Sequence, residues 1–146
     1  MNRYDEAAAI MQERFGHDSL IALATVKDGR PYVRTVDSLY EDGAFYTVTY
    51  ALSNKMAHIA VNPEVAISGD WFTAHGLGEN LGHPRDEKNV ALMVRLRAAF
   101  AAWYDNGHTD ENDPNTCILC VRLTDGVLAN QGTWYGIDFA GKTAKV

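Results

Sequence analysis

The chain has 146 residues, 47% of them hydrophobic and 22% charged, and a net charge of −6. That is length enough for a single domain, residues 1–146, with a real core. The acidic balance argues against a nucleic-acid or anionic-membrane surface, which would want a basic face, and no apolar run approaches the ~18 residues that cross a bilayer.

The first segment, MNRYDEAAAIMQERF, has mixed charge and lacks the apolar core of a signal peptide. With only two cysteines in the chain, this implies a reducing, cytoplasmic setting. Residues 2–15 predict an amphipathic helix: Tyr4, Ala7, Ala8, Met11 and Phe15 recur at helical spacing, and Gly16 ends it. It is expected to pack across the mouth or side of a sheet. Ser19 to Val26 (SLIALATV) is a mostly apolar run that suits a strand buried on both faces. Asp28-Gly29 predicts a tight hairpin turn, and Pro31 opens the next strand. Along that strand Tyr32, Arg34 and Val36 share one face, and Val33, Thr35 and Asp37 the other. Asp42-Gly43 predicts a second turn, and residues 44–50 (AFYTVTY) return with Thr47 and Thr49 pointing the same way. Ser53 opens a short helix that runs to about Val61 and stops at Asn62-Pro63. Residues 64–73 predict one strand, with Gly69 a bulge or a point of close approach. Residues 74–84 (AHGLGENLGHP) predict a loop or irregular strand pair. The longest helix is expected over 85–104, with Val90, Met93, Leu96 and Phe100 on its apolar stripe. An acidic loop and a final strand pair about Asp125-Gly126 follow. The sum is a mostly β, α+β chain: an antiparallel sheet curled into a barrel with helices outside.

The stretch from Pro31 to Pro63 carries the chemistry. Two cations and several hydroxyls, Arg34, Thr35, Thr47, Thr49, Ser53 and Lys55, lie near the inner ends of a hairpin and the start of a helix. A helix start offers unpartnered N–H groups and a positive dipole end. Arg supplies a fork to a phosphate and Lys a point charge. The residues therefore suit a phosphate clamp; equally, Arg34 and Lys55 could be solvated surface charges and Ser53 a helix cap.

Other candidates point to bland roles. GLGENLG (76–82) lacks the leading strand and βαβ frame of a dinucleotide fingerprint and reads as a flexible turn. Cys117 and Cys120 face opposite sides of a strand, as buried structural thiols. The five histidines show no ligand spacing, so no metal site is expected. There is no G-x-S-x-G for hydrolase chemistry. Trp71, Trp103 and Trp134 are expected in the core, with Trp134 the one placed to cover a flat ring. No residue stands out as a catalytic acid or base.

In order along the chain stand ALATV-DG-P-VRTV, then DG-FY-VT, then S-N-K, then I-NP-VA. This series resembles the FMN-binding split β-barrel family, the pyridoxamine 5′-phosphate oxidase-like proteins, over about residues 19–70. The resemblance implies a six-stranded antiparallel split barrel, a homodimer, and FMN at the subunit interface. It puts Arg34, Thr35 and Val36 against the flavin and its phosphate tail, Val48 and Thr49 beside the cofactor, and Ser53, Asn54 and Lys55 at the phosphate. It implies an FMN-dependent oxidoreductase acting on a small molecule. A non-catalytic flavin sensor or carrier, or the same barrel holding a deazaflavin or haem, is the alternative. Leu39 stands where the oxidase proper has a basic residue, so vitamin B6 oxidation is not implied. The chain looks more like the short general-stress and nitroimidazole-reductase members.

Overall fold

The structure, a computed structural model, describes residues 2–146. Asn2 opens helix α1 (Arg3–Phe15), its Oδ1 accepting from the Asp5 N–H at 2.8 Å. Two hairpins follow: β1 (Ser19–Lys27), β2 (Arg30–Glu41) and β3 (Ala44–Tyr50). Their turns are the predicted pairs, with positive φ at Asp28, Gly29, Asp42 and Gly43. Then come α2 (Asn54–Val61), β4 (Glu64–Gly69) and β5 (Phe72–Asn80). A 3₁₀ turn (Glu87–Asn89) leads into α3 (Val90–Ala99), and β6 (Thr116–Asn130), β7 (Thr133–Asp138) and β8 (Thr143–Lys145) complete the chain.

All strand pairings are antiparallel, in the order β3-β2-β1-β4-β5-β6-β7-β8, and β3 also pairs with β6. That last pairing closes a ring of six strands, the expected barrel, and leaves β7 and β8 as an extension. The barrel interior holds Ile21, Leu23, Tyr40, Phe45, Phe72, Leu119 and Val121. Ala7, Met11 and Phe15 of α1 join it, and the Phe15 ring lies 5.6 Å from both Phe45 and Phe72. A second core forms outside the barrel, where Met93, Leu96 and Phe100 cover Leu39 and Ile118.

Several elements depart from the sequence reading. β1 is not buried on both faces: its burial alternates and Leu20 is 66% exposed. Residues 64–73 are not one strand but a hairpin, turned at Asp70-Trp71 with Trp71 at φ 50°. GLGENLG is no flexible turn; its first half is strand β5. A Cβ at Gly76 would stand 2.8 Å from Val121 and 2.9 Å from the Arg122 carbonyl, so glycine here permits close strand packing. Gly69 meets the other expectation, its backbone pressed against Phe15. The helix over 85–104 contracts to α3: Glu87–Asn89 form the 3₁₀ turn, and past Ala99 the backbone passes into turns, the Trp103 backbone N–H reaching the Phe100 carbonyl at 3.0 Å. Asp125-Gly126 is mid-strand in β6. The register slips there, His75 facing Asp125 and Gly76 facing Leu123, so Thr124 is the extra residue of a bulge. Trp71 and Trp134 are exposed rather than core, packed edge to face at 6.3 Å. Cys117 and Cys120 are free, buried and on opposite faces, as read. Among the described residues no helix is long and apolar enough to cross a membrane.

Candidate functional site

Strand register makes a large cavity. β2 and β3 pair only between Leu39↔Tyr46 and Glu41↔Ala44. Below that point β2 stays with β1 while β3 follows β6, so the two strands part. A cavity of about 680 Å³ opens between them. Thr35, Val36 and Asp37 of β2 form one wall, and Thr47, Val48, Thr49 and Tyr50 of β3 another. The segment after α3 supplies the third, with Trp103, His108 and Asp110.

Side-chain bonds hold that third wall. The Trp103 indole N–H donates to Asp18 Oδ2 at 2.9 Å. Glu111 accepts a fork from Arg97, at 2.7 and 2.9 Å, and the Tyr104 hydroxyl at 2.7 Å. Asp37, facing the cavity, has its carboxyl pushed above the usual range, first by burial and then by a hydrogen bond with Asp18. Asp18 Oδ1 is buried and no fixed donor reaches it.

The predicted phosphate residues lie beyond the end of this cavity, where β3 turns through Tyr50 into α2. Arg34 points into the barrel: its Nη1 donates to Thr25 Oγ1 at 2.7 Å and to the Leu23 carbonyl at 3.2 Å. Burial lowers its pKa. Lys55 is half-buried and donates to no described residue. Burial lowers its pKa, and the Arg34 guanidinium lowers it further. Ser53 occupies the cap position of α2, yet its hydroxyl caps nothing. That oxygen is buried without a partner.

So Thr35, Val36, Val48 and Thr49 share the cavity, Ser53 and Lys55 stand at the start of α2, and Arg34 is held by Thr25, which also contacts His58 of α2. Asn54 stands apart, exposed and lining a different depression with Val26, Gly29 and Val61. His75 is on the surface, 3.0 Å from Asp125. The sequence reading passed over Thr25, His58, Asp37 and Trp103. Thr25 did leave a trace: with Ser19 it is one of two buried polar residues in the inward-facing set of a mostly apolar strand.

A family model described as pyridoxamine 5′-phosphate oxidase matches residues 8–128. The chain belongs to the pyridoxamine 5′-phosphate oxidase-like family. General stress protein 26 of Bacillus subtilis is 26% identical over 137 residues, covering 90% of this chain and 94% of that protein. A FAD-binding protein from Mesorhizobium loti superposes with a TM-score of 0.65 at 16% identity, over 82% of this chain and 91% of that one. A heme binding protein from Mycobacterium smegmatis gives 0.70 at 15% identity, over 97% of this chain and 60% of that one. Likeness at such identities speaks to the fold, and the shared fold is the barrel just described. Leu39 sits in the core under α3, so at this position the member of the pyridoxamine 5′-phosphate oxidase-like family described here has a packing residue in place of a charge.

Proposed function

We propose that the chain is an FMN-dependent oxidoreductase acting on a small molecule. The observation that carries this reading is the α2 start. There a half-buried lysine that donates to no described residue feels the charge of a part-buried guanidinium, and two residues before it a buried hydroxyl has no partner among the described residues. Unpaired buried donors and like charges are costly unless an anion joins them. A phosphate monoester fits that need. The cavity beyond, at about 680 Å³, falls in the range of small-molecule sites and is walled by Val36, Val48 and threonine hydroxyls, a lining suited to a flat ring.

When bound, FMN supplies hydride and one-electron chemistry at its ring. The chain's own part is to anchor and to shape. Arg34, Ser53 and Lys55 hold the phosphate, Thr35, Val36, Val48 and Thr49 border the ring, and Trp103 and its neighbours keep water from one side. We also read the outer sheet face as a dimer contact. It is built of small and apolar side chains, Ala22, Ala24, Val33 and Ala66, with Val33 exposed, and a second copy there would extend the ring cavity. Two free thiols suit a reducing, cytoplasmic compartment.

The test is the absorbance of the purified protein with the mass of any released ligand, and sedimentation of the same sample. A flavin spectrum, a ligand of FMN mass or FMN uptake on addition, and a dimer are expected. A haem or deazaflavin spectrum would replace FMN with those ligands in the same barrel. Failure to take up any flavin would contradict the reading, and sedimentation as a single chain would remove the dimer. Flavin uptake without turnover of any donor or acceptor would make the chain a carrier or sensor.

A further inference from the structure

Arg34 does not hold its own position. Thr25 is fully buried and His58 is 7% exposed. Thr25 Oγ1 lies 2.7 Å from Arg34 Nη1 and 2.8 Å from His58 Nδ1. A guanidinium can only donate, so Thr25 Oγ1 accepts from Arg34, which leaves its single proton free to go to His58 Nδ1. The Tyr32 ring covers the imidazole, with centroids 4.9 Å apart. Nη1 is taken up by Thr25 and the Leu23 carbonyl, with a longer contact to the Tyr32 carbonyl at 3.4 Å. Nε and Nη2 donate to no described residue. One corner of the guanidinium is thus clamped by the protein, and a two-donor edge is left over. The same helix supplies His58 and, three residues earlier, Lys55, whose charge bears on Arg34.

We propose that Thr25 and His58 are positioning residues: they turn Arg34 so that its Nε and Nη2 edge presents a fork to the phosphate of the bound flavin. This rests on the phosphate reading above. The relay gives α2 two jobs, one cation at its start and one buried acceptor a turn later. It also ties the orientation of Arg34 to the packing of α2 on β1. The consequence is selectivity: the relay matters for a flavin that carries a phosphate and is irrelevant to one that does not.

The experiment titrates the wild type and single variants with FMN and with riboflavin, followed by flavin fluorescence. Thr25→Val and His58→Leu remove the relay's oxygen and its acceptor; each is expected to weaken FMN binding about tenfold and to leave riboflavin binding within about twofold. Thr25→Ser keeps the hydroxyl, and His58→Asn keeps an acceptor near the Nδ1 position, so both should retain the wild-type preference for FMN. Should Thr25→Val fail to fold, Thr25→Ala removes the oxygen without placing a methyl against the guanidinium and carries the same expectation. Equal losses for both flavins would show a merely structural role and overturn the proposal, as would unchanged FMN binding. Arg34→Ala separates the two levels. If it leaves the FMN preference intact, the phosphate reading itself is wrong; if it abolishes the preference while the Thr25 and His58 variants do not, only the relay is wrong.

Discussion

Glu111 shows how one carboxylate secures a cavity wall. The Arg97 fork first, and the Tyr104 hydroxyl besides, hold its carboxyl at about 2 against the opposing pull of burial. A carboxyl held below its ordinary 4.5 adds stability that is full above that value and fades as the pH falls toward about 2. Arg97 and Arg85 are half in solvent, so the contribution is about 1 kcal/mol rather than that of a buried pair. Glu111→Gln is expected to lower the melting temperature at neutral pH and to speed proteolysis within residues 100–116, and the gap should close in acid. A gap that stays constant from neutral pH down to about pH 2 would contradict this. The same scale explains what the sequence could and could not say about the site. Arg34, Ser53 and Lys55 stood out because charge and hydroxyl at a strand-to-helix junction have a chemical use that can be named in advance. Thr25 and His58 did not, because their meaning lies in a 2.7 Å and a 2.8 Å contact across β1, β2 and α2. Asp37 was silent for a related reason: the burial that raises its carboxyl, and the Asp18 carboxyl that raises it further, exist only once the chain is folded.

The elements fall into those set by local rules and those set by neighbours. Asp28-Gly29 and Asp42-Gly43 need positive φ at both turn positions, a demand that Asp-Gly meets in any context, so both hairpins were legible. The amphipathic stripe of α1 was legible for the same reason. Gly76 and Gly78 misled, since glycine also breaks strands; only the passage of β6 against Gly76 and of Ile59 against Gly78 shows that the missing side chain makes room. Gly76→Ala should therefore destabilise by about 1–3 kcal/mol, read as a shift in the denaturant midpoint. Gly136→Ala, whose nearest obstacle is the Lys145 carbonyl at 3.9 Å, should be close to neutral. Equal effects at the two positions would mean that loss of glycine, rather than crowding by β6, sets the cost. Where α3 ends was illegible too: the apolar spacing runs on past Ala99 to Phe100 and Trp103, while the backbone there passes into turns.

For the whole molecule, the decisive feature is that a closed ring of six strands is still split. β2 and β3 share three residue pairs and then follow different partners, and the cavity is the space their parting leaves. The proposed clamp lies where β3 hands over to α2. Its two cations come from β2 and α2: Thr25 of β1 accepts from Arg34, and Lys55 bears on the Cys117 thiol of β6. A chain of net charge −6 thus carries two part-buried cations, one of which feels the charge of the other. The most direct measurement is calorimetric titration of FMN into the wild type and into the Arg34→Ala, Lys55→Ala double variant. Loss of two charge-assisted contacts should weaken binding at least about a hundredfold; FMN affinity unchanged in a double variant that still folds would contradict the account.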